Sequence, residues 1–344
     1  MNFNKYNDKG LSGLANLGNT CFINSCMQIL SHTYELNEFL DKDSYKKKLK
    51  KKPDTVLLVE WDNLRKLLWK ENCIVTPGKF IQVVQKVSQI KGNELFTGFS
   101  QNDLPEFLLF IIDCFHTSLS REVNMTINGN IENQTDEVAK KCYQMIKEMY
   151  SKDYSEIWNI FYAVHISEIF SLETNKIINY TPEPYFMIDL PIPENNKTPN
   201  LYDCFQLYTE GEVLEGENGL TDENGKKVDI RKKISFWSFP TILVISFKRF
   251  KSNGQKNQIQ VQFPLNNLNL CNYAVGYKKH EFEYDLFGVC NHMGGVLGGH
   301  YTCFIKNSNS KWYHFNDTQV TEMINVENIL CQKAYCLFYR KKSL

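Results

Sequence analysis

Residues 16–30 read NLGNTCFINSCMQIL, a stretch that places a cysteine at the start of an amphipathic helix. Its apolar residues recur on one helical face, namely Phe22, Cys26, Ile29 and Leu30. Asn19 or Thr20 is suited to cap this helix, which leaves Cys21 in the first turn. The free backbone N–H groups and the dipole of a helix start favour an anion, so the pattern predicts that thiolate is favoured over thiol at Cys21. A buried structural cysteine is the alternative.

A thiolate nucleophile needs a base within hydrogen-bond reach, and His300 is the most distinctive candidate among seven histidines. Gly298 and Gly299 precede it, so the backbone can turn sharply and leave room for an extended substrate. A strand-like run follows it. Histidines without a neighbouring group to orient them are interpreted as non-catalytic: His32, His116, His165 and His280. His314, which lies within a strand-like run, is interpreted as a structural histidine.

Three polar side chains are predicted to complete this site. Asn316 ends the strand after His300, and antiparallel pairing of strands of that length brings its amide beside the imidazole. Asp317 is expected to supply some negative charge near the imidazole without contacting it directly. Asn16 lies five residues before Cys21 and is the predicted oxyanion donor, assisted by the Cys21 backbone N–H. A plain turn residue is the alternative for Asn16.

The two halves of the chain differ in the period of their apolar residues. The first half is mostly helical in spacing. Residues 98–116 predict a strong amphipathic helix, with Pro105 in its first turn and Ser100 or Asp103 as its cap. The second half holds short runs rich in aromatic and β-branched residues, which predict strands. These runs are 241–250, 284–292, 300–307, 311–315 and 334–340. Helices first and strands later predict an α+β architecture.

Composition narrows the classes of function. The 344 residues suffice for one large domain or two ordinary ones, and 39 basic residues balance 39 acidic ones, without the basic excess typical of nucleic-acid binding. Residues 1–10 lack the apolar run of a signal peptide, and no run of about 18 apolar residues predicts a membrane span. The eleven scattered cysteines favour a reducing, intracellular location, cytoplasmic or nuclear. No C-x-x-C pair is present.

Four polar or proline-rich segments are expected outside the core. Residues 46–53 read KKKLKKKP and are interpreted as a solvated loop or helix end, with a binding patch as the alternative. Residues 120–136 predict an Asn-rich loop, and residues 211–233 predict an exposed projection. Residues 181–193 carry four prolines and are expected to be largely extended.

Four segments together resemble the ubiquitin-specific protease family. GLANLGNTCFINSCMQIL resembles its Cys box, and GGHYTCFIKN followed by KWYHFNDTQV resembles its His box. SQNDLPEFL resembles its Gln-Asp-Glu-Phe segment, and ISFKRF resembles its Leu-Lys-Arg-Phe strand. The Cys box covers residues 13–30, and the two parts of the His box cover 298–307 and 311–320. The Gln-Asp-Glu-Phe segment covers 100–108 and the Leu-Lys-Arg-Phe strand covers 245–250. Their order and separations along the chain fit the family, and the resemblance covers about residues 11–340.

The resemblance implies a papain-like cysteine protease fold in a single catalytic domain over residues 11–342. A helical thumb would span about 11–160, β fingers about 161–245 interleaved with the palm, and a β-rich palm about 185–342. It also implies hydrolysis of the (iso)peptide bond after the C-terminal Gly-Gly of ubiquitin through a thioester intermediate. Ubiquitin and ubiquitinated proteins are then the expected partners of a monomer that binds neither nucleic acid nor membrane.

Site residues are implied by motif position. The catalytic places fall to Cys21, His300, Asn316 and Asn16, with Asp317 behind them. The places that line the channel for the ubiquitin tail fall to Gln101, Asp103, Gly298, Gly299 and Tyr301. An aspartate in that channel suits a tail that carries arginines, because a carboxylate pairs with a guanidinium.

Two departures from the family pattern matter. Many members bind zinc in the fingers through two C-x-x-C pairs, whose places here fall near Leu172 and Asn175 and near Asp222 and Asn224. These residues cannot form a tetrahedral zinc set, so we expect no zinc, no other cofactor, and fingers held by strand pairing alone. Pro105 stands where relatives often have a polar residue, a change expected to alter either the grip on the tail or the choice of modifier.

Three rival functions are retained. The first is a protease for another ubiquitin-like modifier, and the second is an inactive ubiquitin-binding module on the same fold. The third is a structural adaptor that uses the basic run at residues 46–52.

Overall fold

Eight α-helices and sixteen β-strands form the described part of this computed structural model, which comprises residues 3–221, 225–296 and 298–342. The helices are α1 (Cys21–Ser31), α2 (Tyr34–Asp41), α3 (Pro53–Lys70), α4 (Gly78–Ile90), α5 (Leu104–Leu119), α6 (Gln134–Tyr150), α7 (Glu156–Phe161) and α8 (Leu201–Thr209). No helix in these ranges is long and apolar enough to cross a membrane.

The strands lie mostly in the second half of the chain. They are β1 (Gly13–Leu14), β2 (Ile74–Val75), β3 (Ala163–Ser171), β4 (Ile177–Tyr185), β5 (Met187–Leu190), β6 (Glu212–Leu214), β7 (Leu220–Thr221), β8 (Lys227–Val228), β9 (Ile230–Phe236), β10 (Ile242–Phe247), β11 (Leu268–Asn269), β12 (Glu283–Gly295), β13 (Gly298–Lys306), β14 (Trp312–Asn316), β15 (Gln319–Glu322) and β16 (Ala334–Lys341). The predicted α+β architecture is confirmed.

Helix α1 lies between the helical half of the chain and a large β-sheet. It packs against α5 on one side and against β13 and β14 on the other. All eleven of its residues are therefore buried, although its sequence predicted only one apolar face. The helix begins at Cys21, as the sequence predicted, and Thr20 takes the N-cap position without a side-chain hydrogen bond to the helix.

Helix α5 forms the centre of the helical half. Asp103 is its N-cap and Pro105 lies in its first turn, as predicted. The apolar stripe of this helix is fully buried: Leu104, Phe107, Leu108, Ile111, Ile112 and Phe115. Each such side chain contributes about 1.5–3 kcal/mol when it leaves water, so this stripe holds α1, α3 and α5 together.

The large sheet has eight strands in the order β15-β14-β13-β12-β16-β10-β5, with β11 paired to β12. The β10–β5 pair is parallel and the other pairs are antiparallel. All five strand runs predicted from the sequence contribute strands to this sheet. One of its faces packs against α1 and the other covers a second hydrophobic cluster that includes α8.

A small sheet projects from the large one in the order β4-β3-β9-β6, and β7 and β8 form a separate pair. The described parts of the predicted projection, residues 211–221 and 225–233, thus contain short strands. Pro182 and Pro184 lie in β4, which is an edge strand, so their missing N–H groups remove few ladder hydrogen bonds. The basic run 46–53 forms a mostly exposed turn that ends where α3 begins.

Candidate active site

The turn before Cys21 is shaped by two left-handed residues, Gly18 (φ 106°) and Asn19 (φ 53°), a conformation that both residue types tolerate. The Thr20 hydroxyl does not cap the helix. It accepts a hydrogen bond of 3.0 Å from the Leu17 N–H and therefore stabilises the turn itself. The local sequence thus delivers the cysteine side chain at the first residue of α1.

The Cys21 thiol is only 3% exposed, and burial raises its pKa. A hydrogen bond from the Tyr301 backbone N–H lowers the thiol pKa, the Asp317 carboxylate raises it, and the backbone N–H groups of Phe22 and Cys21 lower it. The net effect is a raised pKa. The expectation that the helix start favours the thiolate is therefore wrong for the free protein, because burial outweighs the nearby N–H groups.

His300 lies on β13, the strand that faces α1. Its Nε2 is 2.7 Å from Asn316 Oδ1 on β14, so the strand pairing inferred from sequence brings these side chains together as predicted. Since the amide oxygen accepts, Nε2 carries the proton and Nδ1 is left to act as a base. The Tyr301 N–H that contacts the Cys21 sulfur belongs to the residue after His300, which places the thiol beside this part of β13.

The Asn16 side chain, in the turn before Cys21, is hydrogen-bonded through both its oxygen and its nitrogen. Its Oδ1 accepts from the Gly18 N–H at 3.0 Å and the Thr20 N–H at 3.2 Å, and its Nδ2 donates to Asp317 Oδ2 at 3.0 Å. The role of Asn16 as a turn residue is confirmed, because its oxygen closes the turn, and its role as oxyanion donor stays a prediction. An amide nitrogen has two N–H groups, so the second remains for a substrate oxygen.

Asp317 has two amide partners near the thiol. Its carboxylate accepts hydrogen bonds from Asn16 and, at 2.8 Å, from Asn24 Nδ2, and its supporting charge for His300 stays a prediction. The backbone of Asp317 is left-handed (φ 51°) and its carbonyl accepts from the Leu14 N–H. The acid thus ties the end of β14 to the segment before α1.

Asn24 was missed by the sequence reasoning. It lies one turn after Cys21, is 2% exposed, and donates to Asp317. The available signal was an amide side chain one turn after the cysteine on a helix that packs into the core, because a buried amide requires hydrogen-bond partners.

Gln101 bonds the backbone at the start of β13. Its Nε2 donates to the Gly299 carbonyl at 3.0 Å, and its Oε1 accepts from the Gly299 N–H. Gly298 lies against the same side chain. The segment before α5 and the start of β13 are therefore joined through one glutamine, and the role of these residues in lining a tail channel stays a prediction.

Asp103 is held by two tyrosines. Tyr301 Oη donates to its Oδ1 at 2.8 Å, and Tyr335 Oη donates to its Oδ2 at 3.0 Å. Burial raises the pKa of this carboxyl, and the two hydroxyl groups oppose that effect. Tyr335, on β16, was not predicted from sequence. Within the described ranges no lysine or arginine side chain forms an ion pair with Asp103.

A cavity of about 360 Å³ opens beside these groups. Gln101 and Asp103 line one wall, and Gly298 and Tyr301 line another. His292 and the loop after β10 complete it, and neither was singled out from the sequence. Tyr301, whose backbone N–H bonds the Cys21 sulfur, is one of the lining residues, so the cavity and the thiol share a residue of β13.

The described side chains that were candidates for binding a metal ion are either engaged with a lysine or poor ligands. Asp54, Asp113 and Cys114 cluster closely enough, but the Lys91 ammonium bonds both carboxylates, at 2.7 and 3.0 Å, and occupies that position. Of the four positions where relatives carry zinc ligands, Leu172 and Asn175 lie at the β3–β4 turn. The other two, Asp222 and Asn224, lie outside the described residues.

A thiol at a helix start, an imidazole on the facing strand and an amide on the next strand give this site the arrangement of a papain-like cysteine protease. Residues 12–339 match the profile of the family described as ubiquitin carboxyl-terminal hydrolase. The chain therefore belongs to that family.

Individual relatives agree with this assignment. The chain is 33% identical to ubiquitin carboxyl-terminal hydrolase 2 of Homo sapiens, over 99% of this chain and 56% of that protein. It is also 33% identical to ubiquitin carboxyl-terminal hydrolase 2 of Gallus gallus, over 97% of this chain and 94% of that protein. The chain thus spans little more than half the length of the human relative.

Solved structures show the same fold. The SAGA Ubp8/Sgf11/Sus1/Sgf73 DUB module bound to ubiquitin aldehyde matches with a TM-score of 0.75 and 25% identity. The match covers 98% of this chain and 71% of that one. Helices combined with mixed sheets in this arrangement are the fold that the sequence resemblance implied.

Proposed function

We propose that this chain is a deubiquitinating thiol protease that hydrolyses the (iso)peptide bond after the C-terminal Gly-Gly of ubiquitin. The observation that carries the proposal is the contact of α1 with β13. It sets the Cys21 thiol beside Tyr301, while the preceding residue, His300, bonds Asn316 at 2.7 Å.

The reaction begins with transfer of the thiol proton. His300 Nδ1 accepts that proton from Cys21, and the resulting thiolate attacks the carbonyl carbon of the last glycine. Because burial raises the thiol pKa, proton transfer accompanies substrate binding rather than preceding it. Asn316 keeps the imidazole in the required tautomer through its amide oxygen.

The tetrahedral intermediate needs a donor for its oxyanion. The free N–H of Asn16 Nδ2 and the Cys21 backbone N–H serve that purpose, with Asn16 fixed in place by Asp317. The imidazolium of His300 then gives its proton to the leaving amine, and the C–N bond breaks to form a thioester. Water, deprotonated by the same imidazole, hydrolyses the thioester and releases Cys21.

The channel suits the ubiquitin tail. Asp103 is a half-buried carboxylate that has tyrosine partners and no paired cation among the described residues, so an arginine of the tail supplies the missing charge. Gln101 bonds the Gly299 backbone directly, so a Gly-Gly segment must pass beside this contact, where residues with side chains would find less room. Substrate specificity follows from that narrowness.

We also propose that the protein acts as a monomer inside cells and without zinc. All eleven cysteines are unpaired thiols, which suits a reducing compartment. The small sheet is held by the antiparallel pairing of β3 with β4 and with β9, so strand pairing replaces the metal that relatives use. Metal analysis that finds stoichiometric zinc would overturn this part.

The test is turnover of a panel of diubiquitins and of linear fusions to ubiquitin, with Cys21→Ala as the matched control. We expect wild type to release free ubiquitin and the variant to bind ubiquitin without cleaving it. Cleavage of substrates built on another ubiquitin-like modifier, with ubiquitin untouched, would favour the rival modifier. Binding of ubiquitin without cleavage by wild type would favour an inactive module.

A further inference from the structure

Lys256 connects the two segments that border the tail cavity. It lies at the end of the loop after β10, and its Nζ donates to His292 Nδ1 at 3.0 Å and to the His292 carbonyl at 2.6 Å. His292 is on β12, just before the hairpin that leads to Gly298 and β13. One ammonium group thus bonds both the ring and the backbone of a single residue.

The His292 ring fills the space behind the residues on either side of His300. It stacks on Tyr301 with 4.6 Å between ring centroids, and it lies against Gly299 so closely that an added Cβ there would collide with Nε2. The Met293 carbonyl blocks the same space. Gly299 therefore lacks a side chain because of His292 as well as because of the narrow channel.

The contact continues from Tyr301 to the tail-binding carboxylate. The Tyr301 hydroxyl donates to Asp103 Oδ1. The ring of the same tyrosine stacks on His292, which is only 4% exposed. A shift of the imidazole would therefore move the hydroxyl that orients Asp103. The connected path is Lys256, His292, Tyr301 and Asp103.

The charged groups around Lys256 indicate a role other than stabilising the fold. Within the described ranges no carboxylate pairs with Lys256, although its side chain is partly buried. Burial and then the charge of Arg249 lower the pKa of Lys256 to about 8. Burial and then Lys256 lower the pKa of His292 to about 4, so the ring is neutral with its proton on Nε2. Titratable groups whose pKa values are shifted by burial and by a neighbouring charge cluster at functional sites.

We propose that Lys256 is a positioning residue for the ubiquitin tail, acting through His292 on Tyr301 and Asp103. This inference rests on the proposed function, because Asp103 is a tail contact only if the chain binds ubiquitin. Lys256 touches no reacting atom; it sets where the tail-binding carboxylate lies and which tautomer the supporting imidazole adopts.

The variant Lys256→Met keeps most of the side-chain volume and removes the ammonium. With ubiquitin carrying a fluorogenic C-terminal amide, we expect its KM to rise about tenfold while kcat changes less than threefold. Lys256→Arg retains a donor for both His292 atoms and should restore most of the loss. Lys248→Met, which changes an exposed lysine of the same segment, is the matched control and should stay within twofold of wild type.

A KM within twofold of wild type for Lys256→Met, or a loss confined to kcat, overturns the inference. A second readout does not depend on folding of the variant. Histidine-selective ¹⁵N spectra of the wild type, assigned with His292→Gln, should show neutral His292 with Nδ1 unprotonated near pH 6. Protonated Nδ1 overturns the inference. Failure of the proposed function itself is distinct, since wild type would then not turn over the substrate.

Discussion

The Asp317 carboxylate accepts a hydrogen bond of 3.0 Å from the Asn16 amide and so fixes the proposed oxyanion donor from the end of β14. Asp317→Asn replaces one carboxylate oxygen with an NH2 group, which donates and cannot accept. Asn16 and Asn24 therefore no longer each have an acceptor oxygen of their own. We expect kcat to fall about 10- to 100-fold with little change in KM, because oxyanion donors act on the transition state. Steady-state kinetics with a fluorogenic ubiquitin substrate measures this.

The control for that variant is Asp43→Asn, which changes an exposed acid far from the thiol and should leave kcat unchanged. A kcat for Asp317→Asn equal to that of wild type would mean that Asn16 does not depend on the acid.

The Cys21 thiol is expected to alkylate slowly at neutral pH in the free protein, because burial raises its pKa. The rate of iodoacetamide modification should still be rising above pH 9, whereas a thiolate–imidazolium pair would give a plateau well below pH 8. Mass spectrometry of the Cys21 peptide follows this thiol separately from exposed Cys73. A plateau at neutral pH would show that the pair forms without substrate.

His300 and Asn316 should differ in their importance to turnover. His300→Ala removes the base and should lower kcat by about 10³ or more, whereas Asn316→Ala removes only the orienting acceptor and should lower it about tenfold. Asn316→Asp keeps the acceptor and is the conservative comparison. Equal losses from the two alanine variants would mean that another group orients the imidazole.

Acid should weaken the fold through His32, which is fully buried and whose pKa is lowered to about 4 by burial and by Arg340. Its pKa in the unfolded chain is about 6.5, so its contribution is complete above that pH and is lost as the pH falls toward 4. Between pH 7 and 4.5 this single group accounts for about 2 kcal/mol of the fall in the free energy of unfolding.

Urea unfolding of His32→Gln at the two pH values checks this. The variant should lose about 2 kcal/mol less than wild type over that interval, even if it is less stable at pH 7. His280→Gln, at an exposed position, should behave as wild type. An identical fall in wild type and His32→Gln would contradict the assignment.

The sequence predicted those parts of the site that depend on local pattern. The helix start at Cys21 follows from the turn and the apolar spacing that succeeds it, and the proximity of His300 to Asn316 follows from the length of two adjacent strands. Each of these two features depends on residues that lie within about 20 positions of one another. The α+β fold followed likewise from a change of period along the chain.

The rest depends on contacts between distant segments. Asn24 meets Asp317 across 293 positions, and Tyr335 meets Asp103 across 232. The thiol pKa was predicted in the wrong direction because local sequence shows the helix N–H groups but not the packing of α1 between two layers. His292 was passed over for the same reason: its importance comes from Lys256 and Tyr301.

The most direct test of the central claim is the reaction of the protein with a ubiquitin probe that carries an electrophile in place of its C-terminal carboxylate. Intact-mass and peptide analysis should find one ubiquitin joined covalently to the sulfur of Cys21, and no adduct with Cys21→Ala. A folded wild-type protein that binds the probe but forms no adduct, or forms it on a different cysteine, would contradict the account.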